Sequence, residues 1–350
     1  MKPVTVPFFI SHQGCPHTCV FCDQRTISGA AGRLPTANEI VSKISLWSAT
    51  AGERPLEVAF FGGTFTALSH EIQAGLLEPL QSLLKCGEIS AVRLSTRPDY
   101  IDDRRVEWLK KLGVTTIELG IQSMDDAVLD ASGRGHSAAD SDAAIRCIKG
   151  HGVAVGTQLM PGLPGDSLFK SLSSLERVSV AGADFIRIYP TVVIQGTELA
   201  RRFSAGEYYP MGLEQGVNLC KLLLHRAMQS NLPVVRMGLQ ADDGLNSETV
   251  LAGCWHPSFG QIVSSALYGD LIDRYVSDDE LVTISCHPTR LSDVIGYKRS
   301  NLARMLERRV RAQVVSDNTL KKEEIIIQKG IRSSRYNLMT DLNYSIQEVN

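Results

Sequence analysis

Three cysteines stand close together in the stretch "GCPHTCVFC", where three residues separate Cys15 from Cys19 and two separate Cys19 from Cys22. A short loop with this spacing can turn all three thiols towards one point. Thiolates are soft ligands that suit zinc or an iron–sulfur cluster. A structural zinc site is normally closed by a fourth protein ligand, whereas three thiolates leave one metal position open for chemistry. His12 and His17 are the neighbouring rivals for a fourth ligand, so the triplet alone fits a zinc knuckle as well as a [4Fe–4S] cluster. The other cysteines, Cys86, Cys147, Cys220, Cys254 and Cys286, are scattered, mostly in apolar stretches, and read as small core side chains.

The elements that must position such a loop alternate along the first two thirds of the chain. Strands are predicted at 4–11, 57–61, 92–95, 116–121, 153–160 and 185–189, with helices at 37–48, 70–84, 102–112, 137–151 and 167–181. Such spacing implies βαβ units and a parallel sheet. Gly113, Gly152 and Gly182 each follow a helical stretch and precede a strand, where a left-handed residue is wanted. The expected fold class is α/β, a partial (β/α)6-type barrel with a smaller α+β C-terminal extension. The expected divisions are 1–232 for the barrel, 233–280 for an irregular connecting segment and 281–350 for the extension. Reactive groups in such barrels sit on loops after the strands. The special stretches do follow strands: 12–22 the first, 62–67 the second, 96–99 the third, 122–123 the fourth and 161–165 the fifth.

The chain has 350 residues, 43% hydrophobic and 21% charged, with a formal net charge of -2. This is an ordinary globular composition, and any nucleic-acid contact must come from a local patch. No apolar run approaches the roughly 18 residues of a membrane span, and no small-residue cleavage site follows the N-terminal stretch. A cytoplasmic protein with no membrane partner is the expectation, and there clustered cysteines point to metal or catalysis.

The CxxxCxxC spacing, with Phe21 before the last cysteine and the loop after the first strand of a βα series, resembles the radical S-adenosylmethionine superfamily. The resemblance implies a [4Fe–4S] cluster on Cys15, Cys19 and Cys22 and S-adenosylmethionine on its open iron. Reductive cleavage would then yield a 5′-deoxyadenosyl radical, with ferredoxin or flavodoxin as the kind of electron donor. "FFGGTFTAL" resembles the superfamily's glycine-rich motif, which implies contacts from Gly62, Gly63 and Thr64 to the cofactor's methionine part. Phe21 matches the position near the adenine. Gln122, with Ser123 beside it, and Gln158 match polar residues that hydrogen-bond the ribose and methionine groups. No catalytic residue is assigned.

The strings "STRPDYI", "IELGIQSMDDAVLDASGRGH", "QLMPGLPGDS" and "IRIYPTVVIQGTELARRFSAGEYYP" narrow the match. Over about residues 8–215 they resemble the radical domain of the Elongator catalytic-subunit family, which modifies wobble uridine in tRNA. The basic N-terminal segment and the C-terminal acetyltransferase domain of that family are expected to be missing. Ser95 stands where the family carries a glutamate contact to the cofactor. The expectation is a shortened, Elongator-like enzyme whose substrate is unassigned, with tRNA or other RNA as the class implied.

Near the end, "VIGYKRSNLARMLERRVRAQV" resembles the core of a KH domain, in which a GxxG loop clamps a nucleic-acid backbone. Lys298, Arg299, Arg304, Arg308, Arg309 and Arg311 outnumber Asp293 and Glu307 there. Arg299 replaces the second loop glycine. Cys254 and His256 in "CWHPSFG" form a further metal or substrate pair to be weighed against a plain Trp-flanked turn. Two other readings remain: a zinc-holding RNA-binding protein on an inactive barrel, and a coproporphyrinogen-oxidase-like radical enzyme, disfavoured by the "IRIYPT" string.

Overall fold

The computed structural model describes residues 3–24, 33–239, 245–246 and 248–344. The outer limits of the expected divisions, 1–2 and 345–350, lie outside the described residues, as do 240–244 and 247 of the expected connecting segment.

Six strands appear where the apolar runs placed them: β1 (Val4–Phe9), β2 (Leu56–Phe61), β3 (Ile89–Thr96), β4 (Val114–Gln122), β5 (Ala154–Leu159) and β6 (Phe185–Ile188). Between β6 and a seventh strand lies the short β7 (Val192–Ile194), which pairs antiparallel with β9 (Val250–Gly253). That seventh strand, β8 (Val234–Met237), extends the sheet, whose order is β1-β2-β3-β4-β5-β6-β8, parallel throughout. β1 and β8 are its two edges, so the sheet is a half-barrel rather than a closed one. β8 escaped the reading because it is four residues long and two of them are arginine and exposed valine.

Alternation along the strands divides the sheet into two faces. Val6, Phe8, Val58, Phe60, Val92, Leu94, Ile117, Leu119, Val155, Ile186 and Ile188 join the main core beneath the helices. The intervening residues, including Phe9, Glu57, Phe61, Arg93, Ser95, Glu118, Gln158 and Arg187, line the inner face. The helices start where side chains can cap them. Thr36 and Glu39 form a reciprocal cap on Ala37–Ala51, and Ser137 and Asp140 form one on Ala138–Gly150. Ser69, Asp102, Asp125, Ser167 and Thr197 each accept a bond from the first turn of the helix that follows.

The segment expected to be irregular carries a 17-residue helix, Phe259–Tyr275. It shows no single apolar stripe because it is apolar on two sides. Phe259 and Val263 pack into the barrel core, while Leu267, Tyr268, Leu271 and Ile272 pack into a second one. That second core lies under a four-stranded sheet, β10 (Leu281–Cys286), β11 (Arg311–Ser316), β12 (Glu324–Lys329) and β13 (Arg332–Asn337), ordered β11-β10-β12-β13. β10 and β11 run parallel, joined by the short helices Leu291–Ile295 and Ser300–Glu307 around the turn 296–299. Among the described residues no helix is long and apolar enough to cross a membrane.

Candidate active site

The chain leaves β1 through a tight loop in which His12 and Gly14 take positive φ, 58° and 72°. Gln24 closes that loop. Its side-chain oxygen accepts from the backbone N–H of His12 (2.6 Å) and of Gly63 (2.7 Å), and its own N–H donates to His12 Nε2 (2.9 Å). His12 is thereby used as a loop staple through its Nε2. The His17 ring lies instead against Gly135.

The cysteine loop and the glycine loop after β2 are fitted backbone to backbone. A Cβ on Gly14 would stand 2.4 Å from Thr64 O, and one on Gly63 would stand 2.4 Å from Gln13 O and 2.5 Å from Ile10 O. Gly62 and Gly63 have φ of 76° and 62°, which glycine adopts without strain. The close approach they permit is to the cysteine loop. Thr64 is fully buried, donates its N–H to Gln13 O, and sets its hydroxyl 3.4 Å from Cys15 Sγ.

Of the three cysteines on this loop, Cys19 is buried and Cys15 and Cys22 are partly so. Burial first, and then Cys19 and Cys15, push the Cys22 thiol up to about 12, and burial also raises Cys15. Three thiolates in one half-buried loop repel one another unless a multiply charged cation shares them. The donor set therefore fits an iron–sulfur cluster or a closely bound metal ion. Protein cations face the sulfurs: Arg134 Nη1 donates to Cys19 Sγ at 3.3 Å and its Nη2 to Gly120 O, and Arg97 is close enough to draw the Cys15 thiol down against its burial.

The other expected contacts lie at the C-terminal ends of the strands. Ser95 Oγ and Gln122 Oε1 are buried without a hydrogen-bond partner. Gln122 also has a φ of 72°, at a register shift between β4 and β5, a strained position of the kind found at functional sites. Arg134 thus sets a cationic group at Cys19 with the Gln122 side chain close to it across Gly120, while Ser95 stands level with Glu118 on the neighbouring strand. Unsatisfied polar atoms of this kind are what a polar ligand would take up. Gln158 is placed differently, donating to Glu118 at 3.3 Å deeper on the inner face. Phe21 packs with Val20, Val128, Leu163, Leu199 and Tyr208 in a small core around Cys19. Ser123 is taken up by the following turn, accepting from Asp125 N–H at 3.1 Å.

Several residues at the site were not read from the sequence. Arg134 and His136 sit in "GRGH", where Gly133 and Gly135 have φ of 65° and 67°; a charged residue between two glycines was the available signal. Arg97 is buried and clamps Asp99 with two bonds of 2.9 Å. Deeper on the inner face, Glu118 is fully buried and receives Arg187 (2.6 and 3.0 Å) and Arg93 (2.7 Å), and Arg93 also reaches Glu57 (3.0 Å). Burial alone would raise the Glu118 pKa, but Arg187 and then Arg93 more than reverse this, and it falls below the usual carboxylate range. Such charge pairs across strands far apart in sequence leave no local pattern.

The C-terminal basic stretch is largely neutralised. Arg304 and Arg308 pair with Asp273, Arg308 also with Asp278, and Arg309 with Asp279. Lys298 and Arg299 remain as exposed cations on the turn 296–299, both at positive φ. Cys254 is buried against Gly216, and His256 Nδ1 accepts from Ser258 N–H while its ring meets Tyr297 edge-on. The two side chains serve separate packing roles.

The Radical SAM superfamily model matches residues 9–170, and the Radical_SAM C-terminal domain model matches residues 183–268. A tRNA uridine(34) acetyltransferase of Methanocaldococcus jannaschii is 32% identical over 184 residues, covering 47% of this chain and 34% of that protein. Elongator complex protein 3 of Saccharomyces cerevisiae is 27% identical over 229 residues, covering 56% of this chain and 40% of that protein. The chain thus matches about a third of the length of the first of these relatives. Among solved structures, Elp3 of the archaeon Methanocaldococcus infernus superposes with a TM-score of 0.60 at 23% identity, over 76% of this chain and 62% of that one, a likeness of fold.

Proposed function

This chain belongs to the radical SAM superfamily, and from that premise we propose that Cys15, Cys19 and Cys22 hold a [4Fe–4S] cluster at which S-adenosylmethionine is reductively cleaved to modify a tRNA. When bound, the cluster and S-adenosylmethionine together supply a 5′-deoxyadenosyl radical that abstracts hydrogen from the substrate. The observation that carries this reading is the placing of Cys15, Cys19 and Cys22 on one loop after β1, near enough for Cys19 and Cys15 to raise the Cys22 thiol, with Arg134 bonded to Cys19.

The chain's own residues have distinct tasks. Thr64 and Arg134 direct hydrogen-bonding groups at Cys15 and Cys19, which offsets negative charge on the sulfurs. Ser95, Gln122 and the remaining donors of Arg134 orient the polar groups of S-adenosylmethionine. The Glu118–Arg93–Arg187 network fixes paired charges on the inner face below that level, where they would border the substrate side of a bound cofactor. The tRNA assignment is supported by the names of the relatives that share this domain, and a ferredoxin or flavodoxin is the reductant consistent with the chemistry.

The test is anaerobic reconstitution with iron and sulfide, then dithionite, S-adenosylmethionine and bulk tRNA. Wild type should take up about four irons per chain and form 5′-deoxyadenosine, and Cys19→Ala should do neither. Nucleoside analysis of the tRNA should reveal a changed uridine. Zinc in place of iron would overturn the radical reading. Deoxyadenosine with unchanged tRNA would overturn the substrate alone.

A further inference from the structure

Away from the inner face, a second group of side chains brings together unlike metal donors. Cys147 and His151 lie four residues apart at the end of the helix Ala138–Gly150, which puts them on one side of it. Asp103 opens the neighbouring helix, Asp103–Lys111. One ligand atom from each of the three lies within 4.8 Å of the other two. His151 Nε2 is 3.0 Å from Asp103 Oδ1, and Cys147 Sγ is 3.5 Å from the same oxygen.

These separations can be compared with a zinc shell. Ordinary zinc bond lengths in a tetrahedron place nitrogen and oxygen about 3.3 Å apart and sulfur and oxygen about 3.5 Å apart. The two edges that meet at Asp103 Oδ1 need to move by no more than about 0.3 Å to meet that geometry. The third, from Cys147 Sγ to the His151 ring, lies within 4.8 Å and closes to about 3.6 Å on a shared ion. The surroundings leave these donors available. Asp102 is spent on the N-cap bond from Arg105 N–H and an ion pair with the Arg105 side chain, so Asp103 is left to point outward. Lys110 Nζ donates to the His151 carbonyl at 2.7 Å and so anchors the residue without occupying its ring.

We propose that Asp103, Cys147 and His151 form a second metal site, for zinc, with water as the fourth ligand. The donor set discriminates among metals. One thiolate is too few for an iron–sulfur cluster, and calcium and magnesium take oxygen ligands rather than a thiolate and an imidazole, whereas a thiolate, an imidazole and a carboxylate are the three ligand types zinc accepts. Binding releases the Cys147 thiol proton to solvent. The site joins the outer helices after β3 and β4 and does not depend on the radical chemistry.

A plain hydrogen-bonded cluster, in which the imidazole and thiol share the Asp103 carboxylate, has the same distances, so the experiment must see the metal. Cluster-loaded protein, with the cysteine triplet occupied by iron, is incubated with zinc chloride, desalted, and analysed for both metals. Wild type should retain one zinc per chain with its iron unchanged, and zinc should raise its melting temperature. Cys147→Ala and His151→Ala should each lose the zinc and the thermal shift. A chain with Cys15, Cys19 and Cys22 all replaced by alanine should keep the zinc. Equal zinc in wild type and both variants, or none in wild type, would overturn the site. Should Cys147→Ala misfold by circular dichroism, His151→Ala decides.

Discussion

His136 is held close to the guanidinium groups of Arg134 and Arg97, and its protonation sets an acid edge on the molecule. Burial first, then Arg134 and Arg97, push its pKa down to about 3. An unfolded histidine titrates near 6.5, so above that pH the ring is neutral in both states and the native contacts carry no proton penalty. As pH falls from about 6.5 towards 3, the unfolded chain takes up a proton that the native site resists, and stability is lost. His136→Gln keeps a neutral polar side chain and removes this titration. Between about pH 7.5 and 5, wild type should lose about 2 kcal/mol more than the variant, on the order set by the linkage relation. Anaerobic urea unfolding at the two pH values measures the difference. Parallel losses in the two proteins would mean that His136 is not the titrating group. Neither this histidine nor Arg134 was legible beforehand, because the loop that carries them meets Cys19 more than a hundred residues away in sequence. The cysteines were legible because their spacing is local.

At the scale of elements, the loops after the strands are positioned by an alternation that the sequence displays openly. The outer face of each inner strand is a run of Val, Ile, Leu and Phe, and the functional stretches begin where those runs stop. What alternation does not reveal is how two loops fit each other. Gly63 was expected to admit a ligand, yet the space beside it belongs to Gln13 O and Ile10 O. Gly63→Ala must therefore displace backbone, on top of the 1–2 kcal/mol that a side chain costs at positive φ, by about that general estimate. The expected outcome is a folded protein with normal circular dichroism and several-fold less iron after reconstitution. Gly165→Ala is the matched control: its φ is 77°, but nothing lies within 4 Å of the added carbon. It should load iron like wild type. Equal iron in all three proteins would show that the fit between the two loops does not govern the cluster site.

At the scale of the whole molecule, two cores meet along the helix Phe259–Tyr275. Its first turns belong to the barrel and its later turns to the C-terminal sheet, where Ser265 also receives Tyr297 N–H (3.0 Å) and the Asn301 side chain (2.9 Å). The helix was invisible as an amphipathic stripe because each side has its own apolar neighbour, so its burial only becomes sensible once both layers are assembled. The family match to residues 183–268 ends within this helix, near where its packing passes from one core to the other. That division makes the two layers separable in stability. Leu271 is fully buried in the second core, and truncation to alanine should cost about 2–5 kcal/mol, as buried leucines do elsewhere. If the layers unfold independently, Leu271→Ala should speed amide exchange in Leu281–Cys286 and Glu324–Lys329 while leaving Val114–Gln122 protected as in wild type. Iron loading at the cysteine loop should then be unchanged, because no residue of the second core contributes to that loop. If protection in β4 falls by the same factor as in β10, the helix transmits the loss. The cluster site would then depend on the C-terminal sheet for its stability.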